Sequence, residues 1–183
     1  MNKSNPYFSN LMMIGGSSKN SGKTTLIRKL IEQFPDLKLI AVKAVLYDNV
    51  TDFQRHYPEY KEKDFFAIRE HKAVDKDSGR FLSSGADQAW FLAAHTTGEE
   101  KLLTHLQTIC ETGQPVILES NILRKFIVPK YYVMIVNPDK PIKQSAQQYM
   151  HLADFVLRLE SDVKTFPERA CWTNNQWEIS SND

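Results

Sequence analysis

A glycine- and serine-rich loop between an apolar run and an amphipathic segment constrains this chain more than any other feature. Residues 11–14 are apolar and end at Gly15-Gly16, as a buried parallel strand does. From Thr24 the apolar residues follow helical spacing along one face, and Pro35 stops the pattern. The order strand, loop, helix predicts the first part of a βαβ unit.

The loop itself predicts a phosphate-binding site. Gly22-Lys23-Thr24 matches the end of the G-x-x-x-x-G-K-[ST] fingerprint. Ser17 stands at the first glycine position of that fingerprint and Gly16 lies one residue earlier, so the loop is either a variant or one residue longer. A glycine- and serine-rich turn with a chance Lys-Thr is the alternative. The strand before the loop and the helix after it favour phosphate binding.

Each residue type in the loop has a role in that chemistry. Backbone N–H groups at a helix start bind anions, and the helix dipole adds to the attraction. Lys23 would reach the β- and γ-phosphates and act in catalysis, and the Thr24 hydroxyl would complete a Mg²⁺ shell. The residues expected to bind nucleotide in this loop are Gly16, Lys19, Asn20, Ser21, Gly22, Lys23, Thr24 and Thr25.

The rest of the chain alternates between strand and helix patterns, which predicts an α/β, three-layer P-loop fold with a mostly parallel central sheet. We expect one domain over residues 1–183. The expected strands after the loop are 37–46, 88–94, 115–119, 131–136 and 155–159, and the expected helices lie near 78–84, 102–110 and 142–151.

Two segments fit this alternation less well. Residues 47–79 are charged and aromatic, with a weak helical pattern through Phe65, Phe66 and Ile68, and we interpret them as an excursion over the strand ends that forms a lid or insertion. The tail 161–183 is polar but carries Trp172 and Trp177, which predicts a hairpin.

Charged residues at the predicted strand ends are candidates for metal and catalytic roles. Glu119 follows a fully apolar run and is expected at the carboxyl edge of a central strand, where it would hold Mg²⁺. Asp48 follows the second strand and would orient the nucleophile, although a turn residue is an equal alternative. Lys43 lies within an apolar strand, either facing phosphate or extending outward.

Asn137 and Arg80 are further candidates for nucleotide contacts. Asn137 follows the predicted strand 131–136, at the edge where a base would be bound, but Asn-Pro also favours a turn. Arg80 would lie on the first turn of a short helix capped by Ser78 and could pair with a phosphate, or it could form a surface salt bridge. The base, guanine or adenine, is left open.

Composition sets limits on partners and location. A net charge of +1 and the lack of a basic stripe argue against a nucleic-acid partner. No apolar run is long enough to predict a membrane span, and the first ten residues do not resemble a signal peptide. Cys110 and Cys171 show no metal or redox spacing, so we expect a cytoplasmic, disulfide-free protein.

The loop and two other segments resemble known P-loop families. Gly16 with one extra residue before Gly22-Lys23-Thr24 resembles the SIMIBI class, including dethiobiotin synthetase. A segment from position 76, Lys-Asp-Ser-Gly-Arg followed by Ser-Gly-Ala-Asp, resembles the molybdopterin-guanine dinucleotide biosynthesis protein B family. That family also places a Lys in its second strand and ends a strand in Val-Glu-Gly, where this chain has Leu118-Glu119-Ser120.

The resemblance implies a small, often dimeric GTP-binding protein that assists attachment of a nucleotide to molybdopterin. The first hypothesis is therefore a Mg²⁺-dependent GTP- or ATP-binding protein with slow hydrolysis that serves cofactor assembly, with a protein partner from that pathway. The second is a small-molecule kinase or ATP-dependent ligase of the dethiobiotin synthetase type, with an acceptor site between the excursion and Arg80. The third is a regulatory module that uses nucleotide state to switch a partner.

Overall fold

The computed structural model of this chain describes residues 5–72 and 77–180. The strands are β1 (Tyr7–Gly16), β2 (Ile40–Tyr47), β3 (Phe65–Arg69), β4 (Gln88–His95), β5 (Val116–Glu119), β6 (Val128–Val136), β7 (Phe155–Arg158), β8 (Ala170–Thr173) and β9 (Gln176–Ile179). The α-helices are α1 (Lys23–Gln33), α2 (Val50–His56), α3 (Asp77–Ser83), α4 (Glu99–Cys110), α5 (Gln144–Tyr149) and α6 (Asp162–Arg169).

Seven of the strands form one central sheet in the order β3-β4-β2-β5-β1-β6-β7. All neighbours in it are parallel except β3, which runs antiparallel to β4 at one edge. The predicted α/β class with a mostly parallel sheet is confirmed. Strand β1 lies between β5 and β6, so the loop that follows it opens at the middle of the sheet.

Helices cover both faces of the sheet because side chains of a strand alternate between its faces. Met12 and Ile14 of β1 pack in one core cluster with residues of α1, α3 and α6. Leu11 and Met13 pack in a second cluster with residues of α4 and α5. All four β1 side chains are fully buried, which explains the continuous apolar run. Within residues 5–72 and 77–180, no helix has the length and apolar character needed to cross a bilayer.

The helix predicted through Phe65, Phe66 and Ile68 is wrong, because these residues form strand β3. Phe66 and Ile68 pack in a small aromatic cluster with Phe53 of α2, whereas Phe65 packs in the core cluster of α4 and α5. The side chains therefore alternate between two faces, with the two-residue period of a strand and not the 3.6-residue period of a helix. The excursion thus includes an edge strand of the central sheet as well as the short helix α2.

The tail contains a helix that the sequence patterns did not predict, α6, followed by the antiparallel hairpin of β8 and β9. Asn174 and Asn175 form its two-residue turn with left-handed φ values of 51° and 58°, as a type I′ turn requires. Trp177 is fully buried, and its indole N–H donates to the carbonyl of Val116 at 3.2 Å. The hairpin is therefore attached to the start of β5.

Several predicted strand boundaries also shift; strand β6, for example, begins at Val128 rather than at residue 131. Strand β1 begins at Tyr7, before the apolar run, because Tyr7 pairs with Val128 of β6. Strand β2 begins at Ile40 rather than at residue 37, since the backbone N–H of Leu39 donates to the carbonyl of Leu37 within a turn. Boundaries of this kind depend on the neighbouring strand and not on local apolar content.

Candidate functional site

A cavity of about 780 Å³, with many polar and charged residues among those lining it, opens at the carboxyl ends of β1, β2 and β5. Open α/β sheets bind ligands at this edge. Ten of the predicted site residues line the cavity: Lys19, Asn20, Ser21, Gly22, Lys23, Thr24, Thr25, Asp48, Arg80 and Glu119. The structure therefore brings together residues from the loop, from the ends of two strands and from α3.

The loop between β1 and α1 leaves the start of the helix open to a ligand. Gly22 precedes the helix with a left-handed φ of 90°, and among residues 5–72 and 77–180 no side chain caps the first turn. A Cβ at Gly22 would also collide with the Leu159 side chain. The left-handed backbone favours glycine here, and the Leu159 side chain would have to shift to admit a Cβ. The N–H groups of the first turn of α1 are therefore available to an anion.

Within the loop, neighbouring side chains come so close to the backbone of Gly16 that a Cβ does not fit there, whereas Ser17 is accommodated. A Cβ on Gly16 would collide with the Ser21 hydroxyl and lie 2.9 Å from Cγ of Lys23. The Ser17 side chain is buried, and its hydroxyl accepts a hydrogen bond from the Asn137 backbone N–H at 3.0 Å. Of the two descriptions of the loop, the form that is one residue longer, beginning at Gly16, accounts for these contacts.

Glu119 is the buried acid around which the charged residues gather. Its Oε1 lies 3.9 Å from Nζ of Lys23 and 3.9 Å from Nζ of Lys43. Its Oε2 lies 3.5 Å from the hydroxyl of Thr24. Glu119 is only 5% exposed, and a carboxylate so far from water needs cationic or hydrogen-bonding partners.

The position of Glu119 follows from the strand order. Strand β5 lies between β1 and β2, and Glu119 is level with Ile14 on one side and with Lys43 on the other. Parallel strands end at the same edge, so the acid at the end of β5 lies beside the loop that leaves β1. Lys43, for which two orientations were open, faces this acid.

Lys143 lines the same cavity, although the sequence patterns did not identify it. Its backbone N–H donates to the carbonyl of Ser17 at 2.8 Å, which fixes it beside the loop. Partial desolvation of its ammonium group and then the charge of Lys23 lower the pKa of Lys143; Lys43 adds to this effect and Glu119 opposes it. Lys143 lies in an irregular connection after β6, where no local pattern predicts a site residue.

Asn121 and Ser120, which follow the predicted acid, were also missed. The Asn121 side chain accepts a hydrogen bond from the Gly16 N–H at 2.8 Å and donates to the Gly16 carbonyl at 3.0 Å. It thereby holds the backbone at the start of the loop. Ser120 is 6% exposed and lines the cavity. Their position directly after an apolar strand is the signal that would have identified them.

Asn137 is not brought to the cavity. Its backbone N–H is bonded to Ser17, and its side-chain oxygen accepts from the N–H of Asp139 at 3.0 Å. Asn137 therefore belongs to a turn, which the Asn-Pro sequence favours, and this was the alternative to a role in binding a base. Gly16 is also absent from the described cavity lining, and it acts through the backbone contacts given above.

Asp48 and Arg80 lie at the mouth of the cavity, and both are exposed. The expectation that Ser78 caps α3 is wrong, because Ser78 lies inside the helix and its hydroxyl donates to Glu70 at 2.6 Å. Lys76, part of the segment that carried the family resemblance, lies outside the described residues. Among the residues that are described, no group of three or more His, Cys, Asp or Glu could hold a metal ion by itself.

No protein-family model, curated protein or solved structure matches this chain. The fold and the site together define an α/β protein with a mostly parallel central sheet and, among the described residues, a largely cationic cavity at its carboxyl edge.

Proposed function

We propose that this chain is a P-loop nucleotide-binding protein that binds GTP or ATP with Mg²⁺ and hydrolyses it slowly. The observation that carries the proposal is the convergence of Lys23, Thr24 and Glu119 at the uncapped start of α1. A cation, a hydroxyl and a carboxylate next to free helix N–H groups are the groups that a metal-bound triphosphate requires.

The loop would bind the phosphates mainly through its backbone. Gly22 allows the turn into α1, and the N–H groups of the residues from Ser21 to Thr25 would donate to phosphate oxygens. Lys23 would place its ammonium group against the β- and γ-phosphates. This ammonium group lies 3.5 Å from the Ser21 hydroxyl and 3.9 Å from Glu119, within reach of the same space.

The donor set at Thr24 and Glu119 fits Mg²⁺. Mg²⁺ prefers oxygen ligands and takes one or two protein groups together with phosphate oxygens and water. A hydroxyl and a carboxylate oxygen 3.5 Å apart supply such a pair. When bound, the ion would offset the negative charge of the phosphates, and Thr24 and Glu119 would hold it.

Hydrolysis needs a group that orients the attacking water. Asp48 lies on the cavity wall after β2 and is the candidate for this role. The water oxygen would attack the γ-phosphorus, and the bond to the bridging oxygen would break to give the nucleoside diphosphate and phosphate. A single exposed carboxylate positions water loosely, which is consistent with slow turnover. Service in cofactor assembly, with a protein partner and as a homodimer, is the proposal that the family resemblance supports.

A second candidate function is a small-molecule kinase or ATP-dependent ligase. The observation that favours it is the set of cations beyond the loop, namely Lys43, Arg80 and Lys143, on the wall of the same cavity. A protein that only hydrolyses nucleotide has less need of them. They would serve an acidic acceptor molecule.

The test is Mg²⁺-dependent binding of GTP and of ATP, measured by calorimetry, for the wild type and for Lys23→Ala. We expect the substitution to weaken binding about ten- to hundredfold, the size of a lost hydrogen bond to a charged group. Lys38→Ala, an exposed lysine outside the cavity, should bind as the wild type does. If the wild type binds neither nucleotide more tightly than Lys23→Ala does, the proposal is wrong.

A further inference from the structure

We propose that Asn121 is a positioning residue for nucleotide binding, whose side-chain amide fixes the phosphate-binding loop relative to Glu119, the acid proposed to hold Mg²⁺. The proposal rests on the nucleotide function given above and names a residue that acts through the loop backbone. Asn121 lies two residues after Glu119, the last residue of β5, and is only 7% exposed. Its side chain bonds to Gly16, where the loop begins, so one short segment reaches both parts of the site.

The Asn121 amide takes the place of a strand partner for Gly16. Strands β1 and β5 pair as far as Ile14 and Glu119, and the N–H of Ser120 still donates to the Ile14 carbonyl at 3.2 Å. At Asn121 the backbone turns into a short helix, with φ of −99° and ψ of −47°, so the main chain leaves the ladder. The side chain instead accepts from the Gly16 N–H at 2.8 Å and donates to the Gly16 carbonyl at 3.0 Å. A side-chain amide can do both because it carries a donor and an acceptor, as a peptide group does.

The surroundings of Asn121 hold its amide in this position. Its Nδ2 also donates to the hydroxyl of Ser145 in α5 at 3.4 Å. A Cβ on Gly15 would lie 2.8 Å from the Asn121 Oδ1, so glycine at this position leaves room for the amide. The first glycine of the Gly15-Gly16 pair is therefore explained by the close approach of this side chain.

The start of the loop is bonded on two sides, and Asn121 provides the bonds on the side of the acid. Toward β6, the Ser17 N–H donates to the Ile135 carbonyl at 2.8 Å. Toward β5, the strand that carries Glu119, the bonds come from the Asn121 side chain. Without that amide Gly16 would lose two hydrogen bonds on this side, and the spacing between the loop and Glu119 would be less well fixed. A misplacement of about 1 Å in such a site can cost about a hundredfold in activity.

The test compares Asn121→Ala and Asn121→Ser with the same substitutions at Asn10. Asn10 is the matched control because it is also a buried asparagine, and its amide donates to the carbonyls of Cys110 at 2.8 Å and Gln114 at 2.7 Å. It lies near the start of β1 and outside the cavity lining. Binding of GTP and of ATP is measured by calorimetry, once with Mg²⁺ and once with EDTA, at a temperature where thermal melts show the proteins to be folded.

We expect both Asn121 variants to bind the Mg²⁺ nucleotide about tenfold or more weakly than the wild type, the scale of one or two lost hydrogen bonds. The factor by which Mg²⁺ strengthens nucleotide binding should also fall, because the loop and Glu119 would no longer be held at one spacing. The Asn10 variants should lower the Tm as well, but their nucleotide affinity and their Mg²⁺ factor should stay within about twofold of the wild type.

Nucleotide affinity of the Asn121 variants within about twofold of the wild type would overturn the proposal. An equal loss in the Asn10 variants would do the same, since lower stability would then explain it. An unchanged Mg²⁺ factor would show that Asn121 does not set the spacing to Glu119. If neither Asn121 variant folds while the Asn10 variants do, the residue serves the fold and the proposal is wrong. If the wild type binds no nucleotide, the proposed function itself fails, and this inference fails with it.

Discussion

At the scale of single residues, Glu119 is the group that organises the cavity. It is buried, it contacts two lysines and the Thr24 hydroxyl, and it ends a strand placed between two others. Removing one partner of such an arrangement leaves a charge in a poorly solvated position. The charges of this site therefore act as a group, and a change at one lysine is felt at the others.

This coupling predicts a pH-dependent effect at Lys143. Its pKa is lowered from the ordinary 10.5, so between the lowered value and 10.5 the folded chain binds fewer protons than the unfolded chain. Stability from this group therefore rises with pH across that window, and below it the penalty of the charged lysine is fully present. We expect Lys143→Gln to have a higher Tm than the wild type at pH 7 without nucleotide.

The measurement is thermal unfolding of the ligand-free protein from pH 7 to pH 10.5, with Lys140→Gln as control. The difference in Tm between wild type and Lys143→Gln should shrink as the pH rises, because the wild-type lysine loses its charge. A difference that is constant with pH, or a Tm of Lys143→Gln below that of the wild type at pH 7, would contradict the electrostatic explanation.

At the scale of elements, an aromatic cluster attaches the excursion to the sheet. Phe53 of α2 is fully buried and has ring contacts with Tyr47, Tyr57, Phe66 and His95. Phe66 belongs to β3, so the cluster joins the short helix to the edge strand. Asn49 caps α2 by accepting from the backbone N–H three residues later at 2.8 Å. The part of the excursion from Tyr47 to Arg69 is therefore held in place by packing and by a local cap.

Phe53→Ala should destabilise the protein by about 3–5 kcal/mol, the usual cost of removing a buried phenyl ring. Val50→Ala in the same helix is the control: Val50 is 40% exposed, and the change should stay within about 0.5 kcal/mol. Both are measured by denaturant unfolding. A cost below about 1 kcal/mol for Phe53→Ala would mean that the excursion unfolds independently of the sheet.

At the scale of the whole molecule, the last described residues contribute to the central core. Trp177 of β9 has edge-on ring contacts with Phe34 after α1 and with Trp172 of β8. Its hydrogen bond to Val116 reaches the first residue of β5, the strand that ends in Glu119. The hairpin thus contacts both the end of α1 and strand β5.

Two substitutions at Trp177 should separate packing from hydrogen bonding. Trp177→Phe keeps a ring but leaves the Val116 carbonyl without its indole partner, which should cost about 1 kcal/mol or more. Trp177→Ala also opens a cavity and should cost about 3–5 kcal/mol. Cys171→Ser, at an exposed position of β8, is the control. Equal stability of wild type and Trp177→Ala in denaturant unfolding would show that the hairpin lies outside the cooperative core.

The spacing of apolar residues along the chain predicted much of this fold. A helix buried on one face has apolar residues at helical spacing, and a strand buried on both faces is a continuous apolar run. The run before Gly15 and the helix from Lys23 to Gln33 were evident in this way. Strand β3 and helix α6 were not. The four apolar residues of β3 are consecutive, so their spacing does not distinguish a strand period from a helix period. Helix α6 is short and contains Pro167, which is unusual inside a helix.

The sequence by itself determined the loop, its glycines, and an acid at the end of an apolar strand, because each depends on neighbours within a few residues. Only the tertiary structure decided that Glu119 lies beside Lys23, since β5 is inserted between β1 and β2 by strand order and not by any local pattern. It also brought Lys143 and Ser120 to the cavity and left Asn137 in a turn. Contacts between distant segments follow from how the sheet is assembled, and local periodicity carries no information about that assembly.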